Sequence, residues 1–250
     1  MSAPGKRLAT TMQSEKRAQR GRKANRVFLE IIREYTPFET YPAASPIGGG
    51  FIAFLKQSRL ARIGWKFKER NMKHVMVDLE TLGTVPGCAI LSVGAVYFDA
   101  TGLGDEFYMV ARQDSCLQAG LTIDAGTADW WSKQSPEARK VVAASLKKGQ
   151  HSIKHVLEKF TEFINLDTDV KVWGNGADFD NPILACAFAA VELEHAWAAW
   201  NGRCYRTLKN IVPGPKLVRV GTHHNALDDA KSQALHAIEL FKLHPSLVWK

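Results

Sequence analysis

Val75-Met76-Val77-Asp78-Leu79-Glu80-Thr81 is the stretch on which the fold turns. Its apolar, β-branched opening reads as a short buried strand that ends at Asp78. Side chains two apart in a strand face the same way, so Asp78 and Glu80 set two carboxylates side by side just where the apolar run gives out. Alone, such a pair is an ordinary solvated strand end. Downstream, Ile90 to Phe98 reads as a second strand, Asp99-Ala100-Thr101-Gly102 as a turn, and Phe107 to Ala111 as a third strand, which together make a meander.

Helical periodicity takes over after the meander. Pro136 to Leu146 fits a helix entered at Ser135, and Ile153, Leu157, Phe160 and Ile164 mark one face of another. Val170 to Trp173 reads as a fourth strand and Pro182 to Val191 as an apolar helix. Leu227, Ala230, Ala234, Ile238 and Phe241 form the buried stripe of a last helix. A meander followed by alternating helices and strands predicts an α/β fold with a mixed sheet and helices packed on it.

The 250 residues are 46% hydrophobic, ample for a buried core, and no apolar run is long enough to cross a bilayer. Cys88, Cys116, Cys186 and Cys204 form no CxxC pair and are too sparse for a disulfide scaffold, so reduced thiols and a cytoplasmic location are expected. The net charge of +8 is unevenly spread: residues 1–71 hold 15 Lys+Arg and 5 Asp+Glu, leaving 18 against 20 for the rest. Residues 1–71 read as a basic extension, disordered or weakly helical, in front of a near-neutral domain over residues 72–250. Its acid-poor, Arg-rich start also has the composition of an organellar transit peptide.

Two further acidic clusters lie at element ends. In Trp173-Gly174-Asn175-Gly176-Ala177-Asp178-Phe179-Asp180-Asn181-Pro182, Asn181 is a good N-cap and Pro182 a good first helical residue, leaving Asp180 in the strand-to-helix corner. Asp178 is the rival loop carboxylate. In His223-His224-Asn225-Ala226-Leu227-Asp228-Asp229, five helical residues turn about 140° beyond a full circle, so His224 and Asp229 cannot share a face if both are helical. With Asn225 as N-cap, His224 falls in the preceding loop and Asp229 in the first turn. Asp228 then takes a capping-box position, and His223 reads as a loop residue.

Taken together, Asp78, Glu80, Asp180, His224 and Asp229 resemble the DEDDh branch of the DnaQ-like 3′-to-5′ exonucleases, over about residues 73–243. The stretches Val77 to Gly83, Trp130 to Ala138 and Trp173 to Gly176 are most similar to the exoribonuclease-like group common in phages and prophages, some of them labelled exodeoxyribonuclease VIII. The resemblance implies a ribonuclease H-like fold with a mixed five-stranded sheet flanked by helices. It also implies a partner, a nucleic acid with a free 3′ end, and admits a homodimer. Two Mg²⁺ or Mn²⁺ ions are implied, with Asp78 bridging, Glu80 and Asp229 completing one site, and Asp180 helping directly or through a neighbour. Hard oxygen donors suit those ions.

The same resemblance makes His224 the general base and Thr81 and Leu82 contacts for the 3′-terminal nucleotide. Trp130 and Trp131 are candidates for stacking on bases, but adjacent helical residues do not share a face, so at least one belongs to the core. Two other readings compete. A non-catalytic nucleic-acid-binding module would gain little from carboxylates gathered near phosphates. A zinc protein built on His223, His224 and Cys204 lacks ligand-like spacing.

Overall fold

A computed structural model describes residues 73–164, 169–194 and 196–245. The basic extension over residues 1–71 and the domain start at Met72 lie outside the described residues. Five strands form one sheet: β1 (His74–Thr81), β2 (Ile90–Asp99), β3 (Gly102–Val110), β4 (Lys171–Gly174) and β5 (Gly202–Cys204). Their order is β3-β2-β1-β4-β5, with β1 antiparallel to β2, β2 antiparallel to β3, and β4 parallel to both β1 and β5. The mixed sheet expected from the meander and the later alternation is therefore present, with the acid-bearing strand at its centre.

Seven α-helices are described: α1 (Gln113–Gln118), α2 (Ala125–Ser132), α3 (Lys140–Ser145), α4 (Ile153–Ile164), α5 (Asp180–Ala190), α6 (Tyr205–Ile211) and α7 (Ala226–Leu243). They cover the two faces of the sheet with two separate cores. Val75, Val77 and Leu79 of β1 face a core shared with α4 and α5, while Met76 faces a second core formed with α6 and α7. Alternation along β1 puts Asp78 and Glu80 on the Met76 face, under α7. Burial on both faces explains why β1 starts as a continuous apolar run rather than an alternating one.

Glycine at position 94 lets α7 approach. Gly94 pairs with Asp78 across β1 and β2, and a Cβ there would lie 2.2 Å from the backbone carbon of Ala226 and the nitrogen of Leu227. No side chain fits between β2 and the start of α7, where Ala230, Ala234 and Ala237 continue the close contact along the sheet. Gly94→Ala is expected to cost about 2 kcal/mol or more by overpacking. It should lower activity as well, because the helix start carries Asp229. Urea denaturation checks the first effect, and a variant as stable as the wild type would contradict it.

Several element boundaries differ from the sequence reading. β1 does not end at Asp78 but pairs on to Thr81 with β2, so both carboxylates sit inside the ladder. The helix expected at Pro136 starts at Lys140, because residues 136–139 are spent in turns where Ser135 accepts from Ala138 and Arg139. Asn181 is not an N-cap: α5 begins at Asp180, two residues before the expected start at Pro182, and the Asn181 amide donates to the Val172 carbonyl of β4.

Candidate active site

Three carboxylates meet under the start of α7. Asp78, Glu80 and Asp229 each offer an oxygen within 4.8 Å of the others. Glu80 and Asp229 are buried, and Asp78 is the one residue of β1 that keeps some exposure. β1 supplies the first two by its period of two. The third needs a particular helix start: Asn225 caps α7, its side-chain oxygen accepting from the N–H groups of Leu227 and Asp228, which aims Asp229 in the first turn at β1.

His224 joins this cluster through its backbone. It lies just outside α7 with φ 62°, a left-handed conformation costing a non-glycine residue on the order of 1 kcal/mol. Its N–H donates to Asp229 Oδ2 at 2.9 Å. The cap at Asn225 thus breaks the helical phase that would have kept residues 224 and 229 apart. Asp228 has the structural role expected of it, but its Oδ2 accepts from the Thr222 N–H at 2.7 Å rather than from the cap residue.

Asp180 is held differently. It is 1% exposed, and its two oxygens accept from the N–H groups of Leu79, at 3.1 Å, and Asn175, at 2.6 Å. It therefore ties β1 to the loop after β4, and it is outside the group of three oxygens that converge. Asp178 remains an exposed loop residue.

Beside the carboxylates runs an open groove of about 470 Å³, lined among others by Glu80, Thr81, Thr127, Trp130, Phe179 and His224. Trp131 belongs mainly to the core: it is 3% exposed and its indole N–H donates to the Thr81 carbonyl at 2.8 Å, pinning the end of β1. Trp130, 43% exposed, stands edge-on to His224 with ring centroids 5.0 Å apart. Leu82, the other residue expected to meet a terminal nucleotide, is buried in the core and is not among the residues lining the groove. Thr81 does line it, with its hydroxyl donating to the Gly83 carbonyl at 2.7 Å.

Two neighbours were not singled out from sequence. Gln233 donates to Asp78 Oδ1 at 2.7 Å, and Arg219 pairs with Asp229 Oδ1. Gln233 had a signal, since it stands one helical turn after Asp229 on the same face. Arg219 had none, because it comes from an irregular connection between α6 and α7. Cys204, part of the rejected zinc reading, caps α6 and is outside every clustered group of metal-binding side chains among the described residues.

The cluster's electrostatics are those of a cation site. Burial, then repulsion from Asp180, Glu80 and Asp229, pushes Asp78 well above the usual carboxylate range. Burial, then Asp229 and Asp180, pushes Glu80 up to about 8. Burial raises Asp180 to about 6, against its backbone hydrogen bonds. Charges gathered this way need protons or cations, and an all-oxygen donor set fits a hard divalent cation. Burial and His223 lower the pKa of His224, outweighing Asp229, which raises it.

A stability prediction follows from the sign of the Glu80 shift. Its folded pKa of about 8 lies above the ordinary 4.5, so between those values the metal-free folded state binds more protons than the unfolded chain. Stability is then lost as pH rises through that window. In EDTA, Glu80→Gln should flatten the fall in Tm between pH 5 and 8 and Mn²⁺ should restore the wild type. Calorimetry reads both; an unchanged slope in the variant would contradict the assignment.

Among solved structures, the chain is similar to exonuclease X in complex with 5′-overhanging duplex DNA (TM-score 0.44, 16% identity, 69% of this chain and 93% of that one). It is also similar to cell-death related nuclease 4 (TM-score 0.48, 13% identity, 68% and 64%) and to a full-length 3′-exonuclease (TM-score 0.45, 15% identity, 71% and 63%). An exodeoxyribonuclease of Enterobacteria phage T4 is 28% identical over 128 residues, which cover 44% of this chain and 52% of that protein. The chain thus spans about half the length of that relative. Residues 73–241 match the model of the 3′-5′ exoribonuclease Rv2179c-like domain, a span that runs from β1 nearly to the end of α7. The chain belongs to this family of DnaQ-like exonuclease domains.

Proposed function

We propose that this protein is a metal-dependent exonuclease that removes nucleotides from the 3′ end of RNA or single-stranded DNA. The observation that carries the proposal is the meeting of Asp78, Glu80 and Asp229 within 4.8 Å of one another, beside a groove that His224 also lines. Those three side chains would hold the divalent cations, and Asp180 would support them by fixing Leu79 and Asn175 around Asp78. When bound, a pair of such ions supplies an activated water and neutralises charge on the phosphoryl and leaving oxygens.

The chain's own residues do the rest. His224, kept neutral at ordinary pH by its lowered pKa, accepts a proton from the attacking water. Gln233 fixes Asp78 by donating to its Oδ1, and Asp78 so held would help to bind the cation. Thr81 and Trp130 hold the terminal nucleotide in the groove, the indole by stacking, which tolerates any base. A module that only binds nucleic acid would gain nothing from a buried, mutually repelling set of carboxylates at the point of contact.

Digestion of labelled single- and double-stranded RNA and DNA, with Mg²⁺, with Mn²⁺ and with EDTA, tests the proposal. Cleavage that depends on the cation and favours single strands is expected. Residues 1–71, with their excess of basic side chains, contribute affinity by releasing counterions from the substrate. Residues 72–250 alone should therefore show a shallower dependence of binding on salt than the full chain. Equal slopes would contradict a role for the extension's charge.

A further inference from the structure

The turn that carries His224 holds a second set of metal-binding side chains. His223, His224 and Asp229 each offer a ligand atom within 4.8 Å of the others. The left-handed backbone at His224 turns its ring to the same side as that of His223, and the two stack with centroids 3.7 Å apart and planes 25° apart. The turn itself is fixed by hydrogen bonds from the Asn225 N–H to the Thr222 carbonyl and from the Thr222 N–H to Asp228. His223 is exposed, Asp229 is buried and His224 lies between these extremes.

We propose that His223, His224 and Asp229 form an inhibitory site for a zinc-class transition-metal ion. Two imidazoles and one carboxylate are the donors that zinc, cobalt and nickel favour, whereas the all-oxygen set of Asp78, Glu80 and Asp229 favours magnesium or manganese. Zinc bonds to nitrogen of about 2.0 to 2.1 Å need donors roughly 3.3 Å apart, and rotation of the exposed His223 ring closes the remaining gap. The incoming ion must displace Arg219 from Asp229, or use that carboxylate's other lone pairs.

The two sets share Asp229, so they oppose each other. An ion on His224 puts positive charge on the imidazole that would accept the water's proton, and it competes with the other two carboxylates for Asp229. The inhibition rests on the proposed exonuclease reaction, but binding of the ion does not.

Cobalt titration of the full chain, read by visible absorption and reversed with zinc, tests the site directly. The wild type should bind cobalt at a nitrogen and oxygen site, and His223→Gln should bind it about tenfold or more weakly. His223→Cys, which supplies a thiolate in place of the imidazole, should restore zinc binding. In magnesium, at a pH well above the ordinary imidazole pKa of about 6.5, His223→Gln should cleave at the wild-type rate, while the zinc concentration that halves activity rises about tenfold or more. Identical zinc and cobalt titrations for wild type and His223→Gln would overturn the proposal. A thiolate-to-cobalt charge-transfer band in the wild type would do so too, by placing the ion on cysteine. Loss of cobalt binding in His223→Gln, in a protein that cleaves no nucleic acid at all, would uphold the metal site and refute the reaction.

Discussion

Asp78→Ala should leave a folded protein whose cleavage rate is lower by about 10³-fold or more, the result of losing several kcal/mol of cation-mediated stabilisation. Asp78 is the carboxylate with most at stake. It lies on the central strand, feels the charge of Asp180, Glu80 and Asp229 at once, and keeps some exposure where the rest of the strand is buried. Removing it also removes repulsion from a buried cluster, so the metal-free variant should be no less stable than the wild type. Lower activity with equal or higher Tm separates loss of chemistry from loss of fold. Near-normal turnover by purified Asp78→Ala would refute the assignment.

His224→Ala should fall between the ligands and the surroundings, losing roughly 10² to 10⁴ in rate while still binding Mn²⁺. The pH profile distinguishes a proton acceptor from a structural residue. A base works in its neutral form, so the rate falls as pH drops through its pKa. Burial and the neighbouring His223 move that pKa below the ordinary 6.5, and the acidic limb should lie correspondingly low. In His224→Ala the limb assigned to the imidazole should disappear. Because the backbone N–H at this position holds Asp229, and alanine retains it, the cluster itself should survive the substitution. An unchanged rate and an unchanged profile would return His224 to a role in shaping the turn.

How local a structural determinant is decides whether it is legible in the sequence. The pairing of Asp78 with Glu80 depends only on the alternation of a strand, and the stripe of α7 only on helical periodicity, so both were legible. The phase break between His224 and Asp229 was legible as well, since Asn225 is a strong cap. Asp180 was placed at the right corner but with the wrong neighbour as cap. Its two backbone partners, Leu79 and Asn175, come from separate strands' ends, and only the assembled sheet brings them together. β5 is three residues long and its pairing is with β4 alone, so it left no pattern to read. Leu82, for which the family resemblance implies a contact with the terminal nucleotide, is turned inward, its N–H donating to the Ala89 carbonyl and its carbonyl accepting from the Asp124 N–H. Arg219 reaches the cluster from an irregular segment, where no periodicity announces which side chains point inward.

If Asp78, Glu80 and Asp229 converge to serve hydrolysis at a free 3′ end, an open 3′ hydroxyl and a divalent cation should both be required. The most direct test compares one 5′-labelled single-stranded oligonucleotide carrying a free 3′ hydroxyl with the same strand blocked at that end, in Mn²⁺ and in EDTA. The free strand should shorten one nucleotide at a time from its 3′ end in Mn²⁺, and the blocked strand and the EDTA control should remain intact. Equal cutting of the blocked strand, internal fragments, or cleavage that persists in EDTA would rule out cation-dependent hydrolysis from the 3′ end.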